Sequence, residues 1–277
     1  MTLLSSRWTR PAEPGLLSKA LEVAGRLAND ATDVITATAG RGAQPGTRDS
    51  PFDWVTDTDR TLERHTRRVL TSEFPGIPVV GEELGADMGA EGAEFRWLVD
   101  PVDGTANYVA GMPWCAYSLA LVDASGPVVG VVADPYRGQI YAAARGRGMR
   151  ANGHPVRLPE RTRTAGSIVC TELARTGPWQ GMPGFLERAA AARAGVRVLG
   201  SAALSITQVA LGHAAAAVLR GYREWDVAGA LALAIEAGAV VLDQHGESAA
   251  IPADGLLVAA PAVAHEVMSW CSGTVNG

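Results

Sequence analysis

The sequence predicts a mixed fold, an α+β half built on an antiparallel sheet followed by an α/β half built on a mostly parallel one. Three observations carry this: helical periodicity at the head of the chain, short apolar runs separated by tight turns, and a later alternation of strands with helices. Taking the elements in order, Leu17, Leu21, Ala24, Ala28, Ala31 and Ile35 recur at three- and four-residue steps and mark an amphipathic helix over 16–39. Gly40, Gly42, Pro45, Gly46 and Pro51 break it into a mobile surface loop. Leu62, Val69 and Leu70 follow the acidic Asp53, Asp57 and Asp59 and predict a second helix with Asp59 in its first turn, closed by Pro75-Gly76. Apolar runs at 77–80, 96–99, 116–122, 128–133 and 139–144 then alternate with turn signals and imply the antiparallel sheet. The rhythm changes after Asn152-Gly153-His154-Pro155, where runs at 168–171, 196–199, 214–219, 239–242 and 256–259 are interleaved with helical stretches. Pro261 suits the first turn of a closing helix through Trp270, because a missing N–H costs little there. The two halves divide at 1–155 and 156–277.

Composition narrows the function. With 277 residues and 47% hydrophobic content the chain can bury a large core in one or two domains. A net charge of -5 argues against nucleic acid or an acidic membrane as partner, and Arg67-Arg68 reads as a solvated helix face. Cys115, Cys170 and Cys271 are odd in number and widely spaced, which fits neither a disulfide framework nor a Cys-based zinc site and favours a reducing cytoplasm. Pro11, Pro14 and Gly15 stand where a signal peptide would be apolar, and no stretch is long enough to span a bilayer.

Chemistry concentrates in Trp97-Leu98-Val99-Asp100-Pro101-Val102-Asp103-Gly104-Thr105-Ala106-Asn107, where an apolar run delivers two carboxylates and then a glycine-opened turn. Carboxylates attract a cation and bare N–H groups attract an anion, so the pairing suggests a metal and a phosphate meeting there. Glu82 and Asp226 also follow apolar runs and turns, completing a candidate set of Glu82, Asp100, Asp103 and Asp226. An all-oxygen set without histidine suits Mg²⁺ better than zinc. Two such ions about 3.5–4 Å apart would clamp a phosphate ester, with Gly104 and Thr105 amides on its oxygens. Each feature also has a structural reading: Asp-Pro and Asp-Gly form turns, Glu82-Glu83 is a solvated acidic tip, and Asp226 is a helix N-cap. Their co-occurrence favours the chemical reading. Gly146-Arg147-Gly148 reads as a turn and not a dinucleotide fingerprint, while Trp54, Trp97, Trp114, Trp225 and Cys115 read as packing residues.

These residues resemble the inositol monophosphatase-like family of magnesium-dependent, lithium-sensitive phosphatases, over almost the whole chain. The family pattern Asp-Pro-(Ile/Val/Leu)-Asp-Gly-Thr-x-Asn stands as Asp100 to Asn107, and Trp-Asp-x-Ala-(Ala/Gly) stands as Trp225 to Gly229. Gly81-Glu82-Glu83, the stretch from Asp53 to Asp59, and Gly200-Ser201-Ala202-Ala203 match further family elements. The resemblance implies a five-layer αβαβα sugar-phosphatase sandwich with the active site between its halves, two or three Mg²⁺ per site, and a homodimer. It implies that Glu82, Asp100 and the Val102 carbonyl hold one ion and that Asp100, Asp103 and Asp226 hold a second, with a third leaning on Glu82. Thr105, hydrogen-bonded to Asp59, would orient and deprotonate the attacking water, with Glu82 as a further catalytic group. Asp103, Gly104, Thr105, Gly200, Ser201, Ala202 and Asp226 would contact phosphate or substrate. Leu219 and Ala215 depart from the acidic residues of inositol-selective relatives, and Arg48 replaces a loop lysine. Arg223 and Glu224 are candidates for recognising another leaving group. Inositol monophosphate is the first expected substrate, with histidinol phosphate and fructose 1,6-bisphosphate as alternatives. A different class is a partner-binding protein of this fold, since some bacterial relatives engage the transcription machinery.

Overall fold

A computed structural model describes residues 13–40, 46–47, 54–174 and 176–271. Arg48, Asp53 and most of the expected 40–51 loop lie outside the described residues. Helix α1 (Pro14–Thr38) opens with proline in its first turn and buries Leu17, Ala20, Val23, Ala24, Leu27, Ala28, Ala31 and Ile35, the stripe that the periodicity predicts. A two-residue ladder joins β1 (Gly46–Thr47) to β2 (Trp54–Val55), and α2 (Asp57–Glu73) follows. Its start is a capping box: the Thr56 hydroxyl accepts from the Asp59 N–H, and the Asp59 carboxylate accepts from the Thr56 N–H at 3.0 Å.

The first sheet holds β3 (Val79–Gly81), β4 (Gly85–Ala86), β5 (Phe95–Asp103), β6 (Ala116–Asp123), β7 (Gly126–Asp134), β8 (Gln139–Ala144), β9 (Met149–Ala151) and β10 (His154–Val156). Their order is β10-β9-β8-β7-β6-β5-β3-β4, and every pairing is antiparallel except β3 with β5. The β9–β10 hairpin is absent from the sequence reading. Asn152 and Gly153 both take positive φ, the two-residue turn that Asn-Gly favours, yet the flanking strands are too short to show an alternation.

The second sheet comprises β11 (Ile168–Thr171), β12 (Gly195–Val198), β13 (Ala216–Leu219), β14 (Val240–Asp243) and β15 (Leu256–Ala259) in the order β12-β11-β13-β15-β14. Four of its strands share one direction, and β15 runs against its neighbours β13 and β14. Five more α-helices lie among the described residues: α3 (Thr105–Ala110), α4 (Met182–Ala191), α5 (Ala202–Ala210), α6 (Glu224–Ala237) and α7 (Ala264–Cys271). The first sheet buries one face against α1 and α2. Helices α5 and α6 fill the space between the two sheets, and α4 and α7 cover the far face of the second. The five expected layers result. Helix α6 is buried nearly all round, as the middle layer requires. Among the described residues no helix is long and apolar enough to cross a membrane.

Candidate active site

Glu82, Asp100 and Asp226 each bring a carboxylate oxygen to within 4.8 Å of the other two. Local backbone devices bring each one there. On β5, Asp100 pairs with Ser118 and Asp103 with Ala116, so three steps on one strand face two on its neighbour. Residues three apart on a regular strand point to opposite faces, and this bulge restores Asp100 and Asp103 to the same one. Pro101 sits within the bulge, where its missing N–H is tolerated.

Glu82 follows β3 in a turn held from behind by buried Glu63 of α2. The Glu63 carboxylate accepts the N–H groups of Glu83 at 2.7 Å and Leu84 at 3.1 Å, and Arg67 Nε donates to it at 2.9 Å. Any side chain at Gly81 would collide with that carboxylate, which accounts for the glycine of the Gly-Glu-Glu element. Asp226 is not the N-cap that the sequence suggests: Arg223 holds that position, and Asp226, third in α6, reaches back to accept the Arg223 N–H at 2.7 Å. Helix α6 lies against the sheet at Gly229, where a Cβ would come within 2.6 Å of Ser118 Oγ and 3.2 Å of the Val131 carbonyl. Ser118 is the cross-strand partner of Asp100, so this close approach sets the first turn of α6 beside the bulge.

Burial first, then the charges of Glu82, Asp103, Asp226 and Asp59, hold the Asp100 carboxyl well above the usual carboxylate range. Such a donor set fits a hard divalent cation, whose charge relieves the repulsion among its ligands. Asp103, expected among the metal ligands, lies outside the three-carboxylate cluster. One of its oxygens accepts from Ser201 Oγ and from the Ala203 N–H at 2.7 Å, the other from the Ala202 N–H at 3.2 Å. Burial, opposed by these bonds, lifts its carboxyl to about 7. Asp103 thereby ties β5 to the N-terminus of α5.

Thr105 Oγ1 lies 3.2 Å from Asp59 and 2.9 Å from the Val102 carbonyl, so the expected Thr105–Asp59 contact is present and shares its proton with a second acceptor. Asp59 is itself buried, and desolvation raises its pKa against the hydrogen bonds from Thr56 and Thr105. A cavity of about 910 Å³ is lined by Glu82, Asp100, Asp103, Gly104, Thr105 and Asp226. Gly200 and Ala202 also line it, but the substrate-side turn spends its donors internally, Gly200 N–H on Glu172 at 2.6 Å and Ala202 N–H on Asp103. Ser201, expected as a substrate contact, is buried and caps α5. Leu219 lines the cavity, whereas Ala215 is packed in the core of the second sheet. Arg223 and Glu224 line a separate groove and not the main cavity, and Glu224 pairs there with Arg96.

Two acidic residues escape the sequence reading. Glu63 forms an i,i+4 pair with Arg67, a pattern that reads as ordinary helix surface. Glu172 accepts from Gly200 N–H and from Ser205 Oγ at 2.6 Å, and burial lifts its carboxyl to about 7. Its signal was its position just beyond the carboxyl end of β11, where open α/β sheets bind ligands.

A five-layer sandwich whose bulged strand, helix start and acidic turn share one cavity has the architecture of the sugar-phosphatase fold. The chain belongs to the Inositol monophosphatase family, whose sequence profile matches residues 16–270. The Nus factor SuhB of Pasteurella multocida is 31% identical over 254 residues, 90% of this chain and 94% of that one. The inositol-1-monophosphatase of Mesorhizobium japonicum is 35% identical over 71% of this chain and 74% of its own. Among solved structures, an IMPase of Thermotoga maritima superposes with a TM-score of 0.83 at 27% identity, covering 91% of this chain and 96% of that one. The suhB extragenic suppressor protein of Bartonella henselae gives 0.86 at 25% identity over 92% and 99%. With relatives named as Nus factors, net charge alone no longer supports the exclusion of a nucleic-acid partner.

Proposed function

We propose that the chain hydrolyses a small phosphate monoester with Mg²⁺ at the carboxylate cluster, inositol monophosphate being the substrate that the family resemblance puts first. The observation that supports this best is the convergence of Glu82, Asp100 and Asp226 from three distant elements into one cavity. These residues, with the Val102 carbonyl and Asp103 beside them, would hold two or three ions. When bound, the metal polarises the phosphate and makes water a stronger acid. The remaining steps fall to the chain. Gly104 takes a left-handed conformation that starts α3, offering backbone N–H groups to phosphate oxygens. Thr105 has one hydroxyl proton for two acceptors; when it goes to Asp59, the oxygen presents a lone pair to the incoming water, which Glu82 helps to orient. Asp59, its pKa raised by burial, is suited to receive the proton.

The test is phosphate release in Mg²⁺ across inositol 1-phosphate, histidinol phosphate, fructose 1,6-bisphosphate and other monoesters. Release from at least one supports the reading, and release from none overturns it. We further propose a cytoplasmic homodimer whose halves, 1–155 and 156–277, meet at the site. A second reading, a partner-binding protein of this fold, draws on the relatives named Nus factor SuhB. It requires that a catalytically dead variant keep its biological role.

A further inference from the structure

The cavity continues beyond the carboxylate cluster into a part lined by Met112, Trp114, Leu173, Val198 and Leu219. Met112, Leu173 and Val198 are 52%, 54% and 43% exposed, so they form an open apolar rim and not a closed core. Several polar side chains in the same lining are already committed to the protein. Asn107 donates to the Trp114 carbonyl at 2.8 Å and to the Leu199 carbonyl at 2.7 Å. Tyr222 donates to the Pro252 carbonyl at 2.7 Å, and Glu172 is held by Gly200 and Ser205. Arg220 packs on Gly255 and lies 5.9 Å from the Trp179 ring; its Nη1 and the Trp114 Nε1 make no hydrogen bond, but both are buried within the protein and turned away from the cavity surface.

A polyol seated here would lose water from its hydroxyls and find few partners for them, an unfavourable exchange. An apolar ring or chain would instead cover surface that is now exposed to water. Resting on the phosphatase reading above, we propose that this chain's preferred substrate is a phosphate monoester whose leaving alcohol presents an apolar face, a ring or alkyl body, in place of a polyol. The cavity of about 910 Å³ has room for such a group beside the phosphate.

The experiment compares kcat/KM of the Mg²⁺-loaded protein for benzyl phosphate and cyclohexylmethyl phosphate with that for inositol 1-phosphate and glycerol 2-phosphate. All four release aliphatic alcohols, which limits differences in leaving-group chemistry. The apolar esters are expected to lead by about tenfold or more, the factor that 1.4 kcal/mol supplies. Leu173→Asp and Val198→Asp, at exposed positions that tolerate charge, should shrink that lead through a rise in KM for the apolar esters. Leu219→Asp, at a buried position, should shrink it further if the variant keeps the wild-type circular dichroism. A lead for inositol 1-phosphate, parity among the four, or a lead untouched by both exposed substitutions would overturn the inference while leaving the phosphatase reading intact. Absence of phosphate release from all four and from the wider panel would instead sink the phosphatase reading, and this inference with it.

Discussion

Asp100→Asn separates the metal reading from a purely structural one, because the two predict opposite signs for the metal-free protein. With carboxylate oxygens up to 4.8 Å apart, unit charges at an effective dielectric of about 20 repel by roughly 3.5 kcal/mol per pair. Asp100 belongs to two of the three pairs. Replacing it removes about 7 kcal/mol of repulsion from a fully ionised cluster. A proton on Asp100 relieves this repulsion in the wild type, which is the direction in which burial and the neighbouring carboxylates shift its pKa. The variant's advantage should therefore grow as pH rises and that proton is lost. Asn retains Oδ1, which accepts the Val102 N–H at 3.1 Å, so the bulge itself survives.

Thermal melts of the metal-free proteins at pH 6 and pH 8.5 read this directly, with the variant melting at or above the wild type and the gap widening with pH. Adding Mg²⁺ at about 100 times Kd should stabilise the wild type by about 2.7 kcal/mol, a rise of roughly 5 °C or more. The variant should gain almost nothing and release no phosphate above background. A variant that melts below the wild type at both pH values, or that keeps the Mg²⁺ shift, would refute the reasoning.

Thr105→Val should lower kcat by about 10²–10⁴ with the Mg²⁺ melting shift retained, and Thr105→Ser should recover most of it, as phosphate-release kinetics will show. Glu63→Gln leaves the Glu82 turn with a weaker acceptor, and should weaken Mg²⁺ about 10- to 100-fold by calorimetric titration with little change in overall fold. Glu172 and Asp103 have carboxyl groups lifted to about 7, so the folded protein holds protons that the unfolded chain has released. Their contribution is greatest at low pH and is lost as pH rises through 7. Metal-free stability should fall by a few kcal/mol between pH 5 and 8, at up to about 1.4 kcal/mol per pH unit for each of the two groups, and Glu172→Gln should flatten that slope in denaturant titrations.

What the sequence disclosed and what it hid follow from the range of the interactions involved. Helix α1 was readable because its packing face is a periodic stripe, and α2 because the acidic Asp57 and Asp59 lead into Leu62, Val69 and Leu70, although the Thr56 cap that starts it went unread. The four carboxylates stood out because each ends an apolar run, but their division of labour did not. Asp100 and Asp103 look equivalent along the chain; the β5 bulge sets both on one face, while Ser201, Ala202 and Ala203, about a hundred residues away, claim Asp103. Glu63 and Glu172 were hidden for the same reason: what they hold, the Glu82 turn and the Gly200 turn, is remote in sequence. The glycines carry the complementary information. Gly81 admits Glu63, Gly229 admits Ser118, and Gly104 would meet the Gly200 carbonyl at 2.8 Å if it had a Cβ. Each marks a contact that a motif encodes without naming its partner. A family pattern that pairs Gly with an acid is therefore recording two demands at once, a charge that must arrive and a backbone that must come close enough to deliver it. Substituting such a glycine should impair metal binding as surely as removing the acid, although it is no ligand.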